Sequence, residues 1–401
     1  MNRIKRQAAI TATHKLYGEE LYKDDDEDSI EDESSDSEED TYLPENEIHE
    51  VVNGAESESD AAESGDSSDE TSQPEQTLVS KNGEVWSREP PNVRQTMTHN
   101  IMHVKYGPTA EAKRKITGIS GALGLFVTKE MIEAIVKHTN SEGLKTRNNW
   151  NLTTYDEIQT FIGLSILAGV FRSNYESLLS LWSIEMGRPI FRKTMSLKRF
   201  KQLNAMLRFD DKDTRSFRRR NDKFAPIRDV FDLFVKQLPK YYKPSHSVTI
   251  DEQLVSFRGR CVFKQYMPMK PSKYGLKFFA MCCNDTSFVC GMKPYLGKEG
   301  NEVATNLAQK VVEDLIAPLT NSGRNLTTDN FYTSLTLARD LKRKGISFVG
   351  TIRKLKREIP PAALEIKERG IGLSHFFYKP EATLVSFVPK KNKVNIKLLY
   401  L

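Results

Sequence analysis

Two aspartates are the residues in this sequence best placed to do chemistry. Asp251 closes the alternating, β-branched run SVTID (247–251), and Asp329 closes RNLTTD (324–329). Each run reads as a strand ending on a carboxylate. Carboxylates fixed on a rigid sheet are oxygen ligands for hard cations such as Mg²⁺ or Mn²⁺. Two such ions about 3.5–4 Å apart would activate an attacking oxygen and stabilise a leaving oxygen in phosphodiester chemistry. Aspartates at strand ends are also ordinary turn residues. On these residues alone both readings stand.

The elements that must position the two carboxylates follow from hydrophobic periodicity. GLKFFAMCC (275–283) is apolar on both faces, as a central buried strand would be, and SFVCGMKPYL (287–296) reads as a third strand. A helical stripe follows in Leu307, Ala308, Val311, Val312, Leu315 and Ile316, and a shorter one in Leu337, Ala338 and Leu341. ISFVGTI (346–352) completes the series. Three strands, helix, strand, helix, strand predicts an α/β layered core. TLVSFV (383–388) and VNIKLLYL (394–401) predict a further strand pair.

Residues 118–240 read as helical. Ile132, Ile135 and Val136 share one face, and Ser196 can cap a helix carrying Leu197, Phe200, Leu203 and Leu207. Thr154 with Glu157 predicts a reciprocal capping box before Ile158, Phe161, Ile162 and Ile166. Pro226 fits the first position of a helix running through Leu238. Basic residues gather here, as Lys198, Arg199, Lys201, Arg208 and RSFRRRNDK (215–223). Such a face is either simply solvated or in contact with nucleic acid.

Charge divides the chain sharply. Residues 19–75 hold 25 acids against the single Lys23, whereas residues 76–401 hold 54 bases against 29 acids. The net charge of +5 therefore hides an acidic tail on a basic body, and a basic body suits a polyanionic partner. DDDEDSIEDESSDSEED (24–40) has too little apolar surface to offset ordering entropy, so disorder is expected there. No apolar run approaches the roughly 20 residues of a membrane span. Cys261, Cys282, Cys283 and Cys290 lack CxxC spacing, and neighbouring cysteines on a strand face opposite ways, so no zinc is expected.

Longer blocks carry a resemblance. TIDEQLVSFRGR (249–260), KPSKYGLKFF (270–279), MKPYLGK (292–298), NLTTDNFYTS (325–334) and FVGTIRKLKREIP (348–360) resemble the catalytic region of piggyBac transposases. LRFDDKDTR (207–215) and DKFAPIRDVFDLFV (222–235) are similar to that family's helical region. The resemblance implies an α/β fold with a ribonuclease-H-like catalytic core, preceded by a helical dimerisation and DNA-binding region and a disordered acidic tail. The implied divisions are a tail (1–95), a helical domain (96–245), an incomplete core (246–360) and the first strands of an insertion domain (361–401).

It further implies that Asp251 and Asp329 are catalytic and hold Mg²⁺ or Mn²⁺. Arg258, Arg260, Lys270, Lys273, Arg353, Lys354, Lys356 and Arg357 would line a DNA channel. The implied partner is double-stranded DNA, at terminal inverted repeats and TTAA targets, bound by a homodimer in the nucleus with no membrane involved. The family carries further catalytic aspartate in a GGVDxxDQ-type motif that residues 1–401 do not contain. Weak or absent metal binding and no strand cleavage are therefore expected. The alternatives are a partial sequence of an active cut-and-paste transposase and a domesticated nuclear interaction protein.

Overall fold

The computed structural model describes residues 77–91, 105–268, 270–297, 306–367 and 369–400. All of these belong to one of the chain's two units, Ser64–Leu401. The acidic segment 19–75 lies outside the described residues.

Eleven of the strands join one sheet. In chain order the strands are β1 (Thr77–Val79), β2 (Val85–Ser87), β3 (Gly107–Pro108), β4 (Tyr242–Lys243), β5 (Ser247–Ser256), β6 (Lys264–Tyr266) and β7 (Tyr274–Cys283). They continue as β8 (Val289–Pro294), β9 (Asn325–Thr328), β10 (Ser347–Ile352), β11 (Ser374–Tyr378), β12 (Ala382–Lys390) and β13 (Lys393–Tyr400). The short β3 and β4 pair only with each other. At the centre of the large sheet the order is β8-β7-β5-β9-β10. β5, β7 and β8 are antiparallel neighbours, while β9 runs parallel to both β5 and β10. A parallel neighbour requires a crossover, and the two helices the periodicity predicted supply it.

The helices are α1 (Ala110–Lys115), α2 (Ile119–Phe126), α3 (Lys129–Thr146), α4 (Tyr155–Val170), α5 (Leu178–Trp182) and α6 (Pro189–Thr194). They continue as α7 (Leu197–Met206), α8 (Lys212–Arg219), α9 (Arg228–Tyr241), α10 (Leu307–Ile316) and α11 (Leu335–Arg343). α10 and α11 bury Val311, Val312, Leu315, Leu337, Ala338 and Leu341 in one core with Val248, Ile250, Leu326 and Phe348 of the strands. The opposite sheet face meets the helical region through Phe278, packed with Phe224, Phe231 and Phe263. The Phe231 and Phe278 rings stack at 5.8 Å.

The helical region has its own core, built on Ile132, Ile158, Phe161, Trp182, Phe191, Phe200 and Leu203. Ser196 caps α7 by accepting from the Arg199 N–H at 3.2 Å, an interaction worth about 0.5–2 kcal/mol. Thr154 caps α4 in the same way. The expected reciprocal box is absent, because the Glu157 carboxylate is taken by Arg199 and the Thr153 hydroxyl. Ile166 lies outside the α4 stripe and is exposed. Pro226 stands two residues before α9 rather than inside it.

The tail boundary drawn from sequence at residue 95 is corrected. β1 and β2 form a hairpin whose last residue, Ser87, pairs with Tyr378 of β11. Trp86 is 1% exposed and donates its indole N–H to the Glu358 carbonyl at 3.0 Å. Glu84 accepts from Arg339 at 2.8 Å and also from Lys379. Every one of these partners lies more than 250 residues away in sequence, so local periodicity carries no trace of them. At the other end of the chain, β13 pairs antiparallel with β10, and residues 374–400 extend the sheet that holds the central strands.

Candidate functional site

The two aspartates meet where one strand stops and its neighbour continues. β9 pairs with β5 from Ser247 to Ile250 and ends at Thr328. Beyond Ile250, β5 runs on to Ser256, held by β7 on its other side. Asp251 is therefore not the end of its strand, as the alternation suggested. It is the first residue of β5 past the reach of β9. From that point the β9-side edge of β5 is open, and Asp329, one residue after β9, sits beside it.

The turn carrying Asp329 is pinned from three sides. The Asp329 carboxylate accepts from the Phe331 N–H at 2.9 Å, and its carbonyl accepts from the Thr333 hydroxyl at 2.7 Å. Thr333 also shares a hydrogen bond with Thr328 at 3.0 Å. Gly350 of β10 lets Thr333 approach, since a Cβ there would stand 2.2 Å from the Thr333 Oγ1.

A third carboxylate joins the group. One oxygen each from Asp251, Glu252 and Asp329 lie within 4.8 Å of one another. Neighbouring side chains on a strand ordinarily face opposite ways, so Glu252 is an unexpected member. Here the Asp251 carboxylate turns back along the strand and accepts from the Glu252 N–H at 2.7 Å. Glu252 is half-buried, with Lys277 Nζ at 3.4 Å from its carboxylate. Burial pushes the Glu252 carboxyl above its ordinary range; Lys277 opposes the shift, while Asp329 and Asp251 add to it. Lys277 itself lies 5.3 Å from the Phe279 and Tyr295 ring centroids and 5.5 Å from that of Phe331.

Tyr332 supplies a further signal. It is 3% exposed, and its hydroxyl has no hydrogen-bond partner among the described residues. Burial, with Glu252, Asp251 and Asp329 acting beside it, pushes the phenol well above its ordinary range. An unpaired buried hydroxyl costs about 1–3 kcal/mol. Three convergent carboxylates offer a hard cation the all-oxygen donor set it requires. The residues present thus fit a divalent cation.

The sequence-derived basic residues fall into three placements. Lys270 lines a cleft of about 330 Å³ together with Asp251, Gln253, Thr249, Ala280 and Cys282. Arg353 donates to the Asn330 carbonyl at 3.1 Å, next to Asp329, and stands 5.9 Å from the Phe331 ring centroid. Arg258, Arg260, Lys273, Lys354 and Arg357 are exposed, Lys356 is half-buried, and among the described residues none of these six has a carboxylate partner. They occupy the β5–β7 connection and the segment after β10.

Comparison with known proteins gives a consistent picture. Residues 120–400 match the family described as Transposase IS4. PiggyBac transposable element-derived protein 3 of Homo sapiens is 27% identical over 261 residues, covering 62% of this chain and 42% of that protein. PiggyBac transposable element-derived protein 2 of Homo sapiens is 23% identical over 250 residues, covering 60% of this chain and 41% of that protein. The chain spans less than half the length of these curated relatives. Among solved structures, the cryo-EM structure of a piggyBac transposase synaptic complex with hairpin DNA superposes with a TM-score of 0.69 at 38% identity. That match covers 74% of this chain and 63% of the other. Among the described residues, no helix is long and apolar enough to cross a membrane.

Proposed function

We propose that this chain, which belongs to the piggyBac-type transposase family, binds duplex DNA across a ribonuclease-H-like core and holds a divalent cation at Asp251 and Asp329. The observation that carries the reading is the meeting of those two carboxylates at the edge where β9 ends, in a sheet ordered β8-β7-β5-β9-β10. Numbered by first appearance, that central order is 3-2-1-4-5.

When bound there, Mg²⁺ or Mn²⁺ supplies charge for activating an attacking oxygen and stabilising a leaving one in phosphoryl transfer. The chain's own residues do the rest. Asp251, on a strand held by β7, and Asp329, on a pinned turn, would hold the ion. Lys270, across the cleft from Asp251, and Arg353, tied to the Asp329 turn, place positive charge where a phosphate would approach. Arg258, Arg260, Lys273, Lys354, Lys356 and Arg357 neutralise phosphates farther along the duplex. The solved relative is a complex with hairpin DNA, which supports DNA as the partner in this reading. Terminal repeats, TTAA targets, a homodimer and nuclear location follow from the same resemblance and belong to this proposal.

For residues 1–401 we infer DNA binding without strand cleavage: within 4.8 Å, Asp251 and Asp329 are joined by no further aspartate among the described residues. The test is fluorescence anisotropy with labelled duplex DNA across a salt series, alongside a nicking assay with Mg²⁺ or Mn²⁺. Affinity should fall steeply as salt rises, since the bases displace condensed counterions. Salt-insensitive binding, or none at low ionic strength, would remove the DNA-binding reading. Metal-dependent nicking that Asp251→Asn abolishes would overturn the inactive one.

A further inference from the structure

Lys277 and Glu252 lie outside the sequence-derived site, yet they are built into it. Glu252 is shared between two claims. Its carboxylate is 3.4 Å from the Lys277 ammonium and also within 4.8 Å of both Asp251 and Asp329. A half-buried carboxylate that pairs with an ammonium is ordinary. One that also stands against two other carboxylates is repelled by them, and a divalent cation relieves that repulsion.

Two features support the exchange of Lys277 for an ion. The first is the Tyr332 hydroxyl, which is buried three residues after Asp329 and lacks a hydrogen-bond partner among the described residues. The second is the surrounding of Lys277. Its ammonium sits among the rings of Phe279, Tyr295 and Phe331, each centroid about 5.3–5.5 Å away. Aromatic faces attract a cation through their quadrupole. A buried ammonium that loses its only carboxylate is normally left uncompensated. Here the rings remain, so Lys277 keeps a favourable environment if Glu252 turns away.

We propose that Glu252 is a third ligand to the cation held by Asp251 and Asp329, and that Lys277 is its resting counter-ion, exchanged for the metal when the metal arrives. This rests on the reading of Asp251 and Asp329 as metal ligands. Glu252 then makes cation binding by residues 1–401 firmer than two aspartates would allow.

The experiment is a Mn²⁺ titration of the full 401-residue chain, followed by the electron paramagnetic resonance of free Mn²⁺ and by calorimetry. Asp251→Asn and Asp329→Asn should each abolish binding. Glu252→Gln should weaken it on the order of tenfold or more, because ligand charge sets affinity. Lys277→Met should tighten it, since the competing cation is gone. Melting temperatures in chelator report folding separately. If either single variant fails to fold, Glu252→Gln with Lys277→Met removes the pair together and should bind as weakly as Glu252→Gln. Wild-type affinity in Glu252→Gln or in the double variant, with binding lost in Asp251→Asn, overturns this proposal and leaves the two-aspartate reading standing. Wild-type affinity in Asp251→Asn and Asp329→Asn removes both.

Discussion

The basic side chains of this protein occur in two regions that look alike in sequence and differ in structure. In the helical region, Arg215 and Arg218 converge on Asp210, a residue 3% exposed. Arg208 and Lys212 both bond Glu142, 5% exposed, and Arg199 bonds Glu157 at 2.6 Å. These cations hold helices together. Around the carboxylate group, Arg258, Arg260, Lys273, Lys354 and Arg357 have no such partner among the described residues. Phosphate binding draws on charge that is not already neutralised. A count of bases therefore overstates the DNA-binding capacity of the helical region, where, of the bases from 198 to 220, Lys198, Lys201, Arg219 and Arg220 are the ones without a carboxylate partner among the described residues.

The largest effect expected from breaking this contrast is on the helical side. Replacing Arg215 and Arg218 together with Ala leaves Asp210 buried without a counter-ion. Urea unfolding should show a loss of about 3–5 kcal/mol. A loss below about 1 kcal/mol would mean that the arginines serve solvent or DNA instead.

Next comes the turn that presents Asp329. Gly350→Ala forces the new Cβ against Thr333 and should cost about 1–3 kcal/mol by overpacking. Mn²⁺ affinity should fall as well, because the turn shifts. Unchanged stability and affinity would show that Thr333 moves aside freely.

A third test uses acid. Arg339, with Lys379 beside it, holds the Glu84 carboxyl at about 2, below its ordinary 4.5. A depressed carboxyl stabilises the fold above the ordinary value and loses that contribution as pH falls from about 4.5 towards 2. The melting temperature should drop through that window, and Glu84→Gln should start lower and drop less. Parallel profiles for the two proteins would contradict the assignment.

The smallest stability effect belongs to the loops. Arg258→Ala with Lys354→Ala should change unfolding free energy by less than about 0.5 kcal/mol per site. The same pair should reduce the salt dependence of DNA binding by about 0.9 in slope for each phosphate no longer neutralised. A slope left unchanged would place the DNA elsewhere.

Much of the core was legible in the sequence because hydrophobic periodicity is local. The strands read at 247–251, 275–283, 287–296, 324–329 and 346–352, and the helices between them, announce themselves by alternation or by a stripe, although the first runs on to Ser256. Glu252 was not legible. Its membership of the site depends on β9 ending opposite Ile250 while β5 continues, and only the pairing register reveals that. The commitment of Arg215 and Arg218 was hidden for a related reason. Asp210 appears in sequence as one more acid in LRFDD, and burial alone makes it a hub.

The hairpin at residues 77–87 has a consequence for how the chain is made. Its partners are Glu358, Arg339, Tyr378 and Lys379, and Trp86 is separated from Glu358 by 272 residues. Chains emerge from the ribosome at about 5–20 residues per second, so Trp86 waits roughly 15–60 s before its pocket exists. Closing so long a loop is slow but adds little thermodynamic cost, since that cost grows only with the logarithm of length. Docking of the hairpin is therefore a late event, and indole burial at Trp86 is an optical clock for completion of the sheet.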